Sequence, residues 1–484
     1  MTYLLMLTVP ALMAAVCFAL RQQQTFVLTL AIGTCLLMAW MAWTLPIDRP
    51  ASFIGVTVTV RALNRLFLLA FPIGMAVTFV AALRVAHGEN FVVIGLLILA
   101  LLSATLLVDV QSPFLIALLL LATGLAIVLA LVDLPLGSPV LLRGRTIATG
   151  LKYLVMMLLA GIILALCFVL ADLENTPDRP LSRSLSQPLL ALLVVGIGLR
   201  LAAIPFHSWL PDLLEDAPPL VGVLIGIVNI AALLFLVSAF QFLLAPGLLN
   251  VGAGSLNLLR IFAVASAIGG AMLAIHERGS LRRFLGMLLV SDSGMMLFGI
   301  VSSPAGLTGA LFHAFNQVVI SVVLWTAVAL LERPEPTRPA AGDGLLARRP
   351  WASGVFIGGV LALLGAPPFN GFSSRLLIYQ GAAEDGRGFL IALLITTALA
   401  AYAFALVLRD HFLGRAAEAI PDADLTDFRG LGLPPPPPQR SEPLGPTGLA
   451  VLLLIVCIAI GVYPPLVLDA IGEAVRGLTF VQFL

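Results

Sequence analysis

Apolar residues run along this chain in long blocks, separated by short polar stretches rich in Arg, Asp, Glu, Gly and Pro. A helix needs about 20 mostly apolar residues to cross a bilayer. Blocks of that kind lie at 3–20, 25–44, 66–86, 91–109, 113–133, 150–171, 187–204, 219–244, 257–275, 283–303, 307–331, 352–380, 386–408 and 447–466. The pattern predicts an all-α integral membrane protein of about 14 transmembrane helices. The first block lacks the basic start and small-residue cleavage site of a signal peptide, and a second follows almost at once, so it reads as the first span.

Composition agrees with that pattern. Hydrophobic residues make up 60% of the 484, charged residues only 11%, and the mean hydropathy is +1.09. A soluble protein carries about a quarter charged residues. A net charge of +1 points to no nucleic acid or acidic partner. The four cysteines, Cys17, Cys35, Cys167 and Cys457, each stand alone in an apolar run, which suits packing rather than a disulfide framework or an iron–sulfur site. No phosphate-binding glycine loop, paired-cysteine motif or zinc motif occurs, so no cofactor and no metal is expected in this chain.

Arginine placement orients the map. With the N-terminus outside, 16 basic residues fall on inward loops and span ends and 8 on the outward side, and Arg200 and Arg375 lie within spans. That bias follows the positive-inside rule and puts both termini outside, with Ser182 facing outward and Ala340 inward. The longest polar stretch, from Arg409 to Pro446, holds five consecutive prolines at Pro434–Pro438 and reads as an extended inward linker or a strap for a neighbouring subunit.

Segment 196–219 contains Pro205, Phe206, His207, Trp209, Pro211, Asp212, Ala217 and Pro218 in fixed spacing. Further on stand Leu151-Lys152-Tyr153, Leu281-Arg282-Arg283-Phe284-Leu285 with Ser291 and Gly294, Phe312-His313-Ala314-Phe315, and Gly365-Ala366-Pro367-Pro368 with Gly371-Phe372. Together these segments resemble the antiporter-like, proton-translocating membrane subunits of complex I, the N type most closely, and the related Mrp antiporters and membrane hydrogenases. One departure is Leu220, which stands where that family has a last proline. The resemblance covers about 100 to 410.

It implies an inner, energy-transducing membrane, bacterial or organellar, and other membrane subunits of a complex I-like or hydrogenase-like assembly as partners, alongside the lipid bilayer. Prolines and glycine interrupt spans seven and twelve, five spans apart. Such breaks in corresponding helices suit inverted repeats. The expected layout is 1–90 with helices 1–3, repeats of five helices at 91–244 and 245–408, a Pro-rich loop at 409–446, and a C-terminal helix and tail at 447–484.

The family is thought to move protons along buried lysines, a glutamate and water. This chain has a single lysine, Lys152, at the inward edge of span six. The seventh-helix lysine aligns with Arg200, the eighth-helix lysine with Asn229 or its neighbour Ile230, the eleventh-helix lysine with Gln317 and the twelfth-helix lysine with Arg375. The fifth-helix glutamate falls near Leu121. Arginine does not deprotonate in proteins, and Asn and Gln do not titrate. Asp292 is the one acid in mid-helix, where the resemblance gives histidine, and an intramembrane acid is a functional candidate by default. His313 is a candidate relay or a packing residue, and His207 a brace for the loop after span seven. Under the inverted repeat Asp292 and Arg375 mirror the acid–lysine pair of the first half, so they are expected to pair, with Arg200 as the rival.

These readings converge on an antiporter-like membrane subunit of a complex I-like quinone oxidoreductase assembly whose own proton channel is degenerate. No catalytic site is expected in this chain, and redox chemistry would belong to partner subunits. Two alternatives stand beside it: a structural or anchoring subunit without transport, and an ion-translocating subunit of a membrane hydrogenase, cation antiporter or inorganic-carbon uptake complex.

Overall fold

The computed structural model describes all residues except 1, 54, 86, 110–111, 134–143, 175–182, 244–252, 334–343, 415–441 and 484. Ser182, Ala340 and Pro434–Pro438 therefore lie outside the described residues. The chain is a helical bundle: α1 Thr2–Ala19, α2 Gln24–Thr44, α3 Ala62–Ala82, α4 Phe91–Leu107, α5 Pro113–Val132, α6 Gly144–Glu174 and α7 Arg183–Arg200 come first. Then follow α8 Trp209–Asp216, α9 Val221–Leu243, α10 Ala253–His276, α11 Leu281–Ile300, α12 Pro304–Leu331, α13 Leu345–Arg348, α14 Pro350–Leu364, α15 Asn370–Asp385 and α16 Arg387–Val407. The described chain closes with α17 Leu444–Val462 and α18 Pro465–Arg476.

Each predicted block falls on a helix, and 352–380 falls on two. Among the described residues 11 helices are long and apolar enough to cross a membrane, and three shorter apolar ones cover Phe91–Leu107, Gln187–Arg200 and Pro350–Leu364. The centre is built from α9, α11 and α12, buried along nearly their whole length. A helix apolar on every face suits such a position. At the periphery α1, α2, α6, α16 and α17 turn Leu12, Trp40, Ile162, Ile391 and Ile455 outward, surface that lipid covers at no cost. Small residues let backbones approach where α10 crosses α11. An added Cβ at Gly270 would sit 2.5 Å from the Ser291 amide nitrogen, and one at Gly294 2.5 Å from that of Ala267.

Both expected helix breaks are present, and each frees backbone groups that must find partners away from water. After α7 the amide of Ala203 donates to the Gly198 carbonyl at 2.8 Å and that of Ile204 to Ser266 Oγ at 3.1 Å. Trp209 Nε1 donates back to the Leu199 carbonyl at 3.0 Å, tying α8 to the end of α7. Between α14 and α15 the chain turns at Gly365, whose φ of +74° is left-handed, and restarts at Asn370, whose carbonyl accepts from Asn316 Nδ2 at 2.9 Å.

One element departs from the all-helical expectation, and the C-terminal tail adds a helix. Residues between α2 and α3 form a small antiparallel hairpin, β1 Ala51–Phe53 and β2 Val56–Val58. The hairpin is held to the end of α4 by Thr59 N–H to the Leu107 carbonyl at 2.8 Å and Thr59 Oγ1 to Asp109 at 2.9 Å. Strands of three residues are too short to leave a periodic signal. The C-terminal tail folds as α18, which buries Val467, Ile471, Ala474 and Val475 and packs on α3 and α12. Thr479, beyond it, bonds to Gln241 near the end of α9 at 2.6 Å.

Candidate functional site

Two places in the polar interior hold the intramembrane residues singled out above. The first is centred on Asp292, 1% exposed in the middle of α11. Arg375, on the second turn of α15 past the helix break, puts Nη2 2.8 Å from Asp292 Oδ1. The expected pair is formed. His313 of α12 completes the group, with Nε2 at 2.9 and 3.1 Å from the two carboxylate oxygens. Its Nδ1 lies 2.8 Å from Ser374 Oγ, one residue before Arg375, and Ser374 Oγ donates to the Gly371 carbonyl at 2.9 Å.

Three helices thus converge on one carboxylate. His313 and Asp292 come from unbroken helices packed by the small residues of their interface. Arg375 and Ser374 arrive because the break lets α15 start inside the bundle. The chemistry follows from the donor inventory. Arg375 neutralises Asp292 permanently. The imidazole donates its Nε2–H to the carboxylate whether neutral or protonated. When neutral, its Nδ1 accepts from the Ser374 hydroxyl; when protonated, it donates to that oxygen, which can then turn its own proton to Gly371.

The second place surrounds Arg200, the last residue of α7 and 3% exposed. It does not reach Asp292. Its Nη1 donates to Asn229 Oδ1 at 3.2 Å and its Nη2 to the Val228 carbonyl at 3.4 Å. Asn229 is the side chain that meets Arg200, while Ile230 is an apolar core residue, 1% exposed. Gln317, one turn beyond His313 on α12, is buried and lines a small cavity with Leu285, Ile320, Trp325 and Leu363, and no described hydrogen bond joins it to Asp292 or Arg200. Leu121 packs on Gly161 of α6.

Lys152 lies apart, at the edge of the bundle beside the turn between α7 and α8. Its Nζ donates to Asp212 Oδ2 at 2.8 Å and to the Ser208 carbonyl at 3.0 Å. Arg283 reaches the same carboxylate at 2.8 Å and also holds Glu215 and Glu277, while Arg282 pairs with Glu332. Burial acts to raise the Asp212 carboxyl, but Lys152 and then Arg283 outweigh it and hold the group below the usual carboxylate range. His207 sits in the turn Phe206–Ser208 between α7 and α8, partly buried, its Nδ1 without a hydrogen-bond partner. It belongs to this edge rather than to either interior group.

Arg260, counted from sequence among the outward span ends, is buried and paired rather than solvated. Arg260 is 8% exposed inside α10, with Nη2 2.8 Å from Asp385 at the end of α15 and Nε 3.0 Å from the Val301 carbonyl. Ser302 donates to the same carboxylate at 2.5 Å. Asp385 is the last residue of α15, and Arg260 stands three residues inside the apolar block that begins at 257, positions where a charge ordinarily reads as solvated. No spacing along the chain links positions 260 and 385.

Comparison with known proteins fits this architecture. The family model described as NADH:quinone oxidoreductase/Mrp antiporter, transmembrane, matches residues 140–400. Subunit N of NADH-quinone oxidoreductase from Psychrobacter arcticus is 30% identical over 271 residues, 52% of this chain and 54% of that one. Its counterpart from Heliobacterium modesticaldum is 31% identical over 256 residues, 50% and 53% of the two chains. The chain spans about half the length of these curated relatives.

Among solved structures, a chain of the Mrp complex from Dietzia sp. superposes with a TM-score of 0.80 at 20% identity, covering 99% of this chain and 98% of that one. A chain of respiratory complex I from Thermus thermophilus gives 0.76 at 18% identity over the whole of both. The last two likenesses establish the fold. A match across more than half of the chain, carrying both broken helices and the polar groups beside them, establishes descent: this multi-pass membrane protein belongs to the NADH:quinone oxidoreductase/Mrp antiporter transmembrane family.

Proposed function

We propose that the chain is an antiporter-like membrane subunit of a complex I- or Mrp-like assembly, and that its own lysine relay is degenerate. One observation carries the reading. At the aligned relay positions stand Arg200, Asn229, Gln317 and Arg375, and the two arginines are held in place by Asn229 and Asp292 rather than linked to each other. A relay needs groups that lose and regain a proton in sequence. Among the described residues of the two interior groups, Asp292 is the one carboxylic acid and His313 the one imidazole, Tyr153 and Tyr379 add only phenols, and Arg375 clamps the acid.

The layout proposed with it is helices 1–3 at 1–90, five-helix repeats at 91–244 and 245–408, the loop at 409–446 and the C-terminal part at 447–484, with both termini outside. Contacts between segments distant in sequence support the alternation of sides. Thr59 with Leu107, Arg260 with Asp385 and Gln241 with Thr479 join segments assigned outward. Arg21 with Glu89, Lys152 with Asp212 and Arg278 with Asp410 join segments assigned inward. Neighbouring membrane subunits and lipid would cover the apolar faces of α1, α2, α16 and α17.

Isolation of the tagged chain from native membranes in mild detergent tests the assembly. The expected result is a stoichiometric set of further membrane subunits migrating with it. Recovery as a lone chain under conditions that keep other respiratory assemblies whole contradicts the proposal.

A further inference from the structure

Arg200 has an electrostatic problem that the other buried arginines do not share. Arg260 and Arg375 each meet an aspartate at 2.8 Å. Around Arg200, no carboxylate among the described residues lies within ion-pair distance. Its two hydrogen bonds are long and go to neutral oxygens, at 3.2 and 3.4 Å, and its Nε has no partner. A guanidinium cannot shed its proton, and an ion in the membrane interior is almost always paired.

What surrounds Arg200 offers donors. Asn229 spends its Oδ1 accepting from the guanidinium, which leaves its Nδ2 hydrogens to donate. The Tyr153 phenol, 2% exposed on α6, has its ring 5.1 Å from that of Trp209, whose indole donates to the Leu199 carbonyl next to Arg200, and it adds a hydroxyl proton. From 221 to 237 every residue of α9 is buried except Asn229, which is half-buried.

We propose that Arg200, Asn229 and Tyr153 form an intramembrane binding site for a small monovalent inorganic anion of the chloride class. One permanent positive charge calls for one negative charge. A divalent ion would leave an excess charge and carry a larger desolvation cost. A guanidinium, an amide NH2 and a phenol match an acceptor-only ligand. A carboxylate at Asp292 does this work for Arg375, and a diffusible ion does it for Arg200. The site needs only local charge balance, so it stands whether or not the chain works in the assembly proposed above.

The test uses the purified full-length protein, with chloride exchanged for gluconate at constant ionic strength and pH. Melting temperature is expected to rise saturably with chloride, by roughly 2–4 °C at about 100 times the half-saturating concentration. Bromide should substitute and sulfate should not. Arg200→Gln should abolish the dependence and melt in gluconate no lower than the unaltered protein, because the bare charge is gone. Asn229→Ala should raise the half-saturating concentration about tenfold. If Arg200→Gln does not fold, a bromide-soaked structure of the unaltered protein decides, with an anomalous peak expected beside the guanidinium. A melting temperature indifferent to chloride, an equal chloride response in Arg200→Gln, or water alone beside the guanidinium in bromide would overturn the site.

Discussion

Asp292 shows how a single residue can be read from energetics before its neighbours are known. A lone carboxylate in a bilayer costs several kcal/mol even after relaxation, so it must have a cation, and within the spans only Arg200 and Arg375 were available. The symmetry of the breaks favoured Arg375, which lies 2.8 Å away. The contact with His313 was not legible, because no spacing rule connects positions 292 and 313 on separate helices, and a histidine in an apolar run reads equally as packing. The same holds for Arg260 with Asp385. Removing one partner of a buried pair strands the other, at about 3–5 kcal/mol. Asp292→Ala and Arg375→Ala should each destabilise the protein by about that much. The double variant should cost well under the sum, measured as a cycle in denaturant or thermal unfolding. Additive losses would mean that the two side chains do not act on each other.

At the scale of elements, the chain announced its breaks through composition. Pro205 and Pro211 bracket one, and Gly365, Pro367, Pro368 and Gly371 mark the other. Composition could not say what the breaks deliver. One lets Arg375 and Ser374 enter the bundle beside Asp292, and the other leaves Arg200 at the end of α7. Gly365 is the hinge of the first: its φ is +74°, and a Cβ there would lie 2.5 Å from Arg375 Cδ. Gly365→Ala should therefore cost about 1–3 kcal/mol through backbone strain and displace Arg375 as well. Its loss should be smaller in an Arg375→Ala background, where the contact is gone, while the strain remains. The hairpin between α2 and α3 and the amphipathic α18 escaped notice for the opposite reason, being too short or too polar to register against blocks of 20 apolar residues.

The whole molecule was the most legible level, because a bilayer leaves a chain few choices. Long apolar blocks must be helices, arginines must favour one side, and loops must alternate between sides. That alternation makes a direct prediction. Gly279, between α10 and α11, and Gly388, at the start of α16, both have open space where a side chain would point. Gly279→Cys should react with a membrane-impermeant thiol reagent only from the inside and Gly388→Cys only from the outside. Reaction from the same side would break the assigned topology.

The central claim is that this chain keeps the frame of an antiporter-like subunit without a working lysine relay. The most direct measurement is proton flux through liposomes containing the purified full-length chain, under an imposed potential and followed with an entrapped pH-sensitive dye. The account predicts a rate no greater than that of protein-free vesicles, unchanged by Asp292→Asn. A rate several times higher, lost in Asp292→Asn, would contradict it.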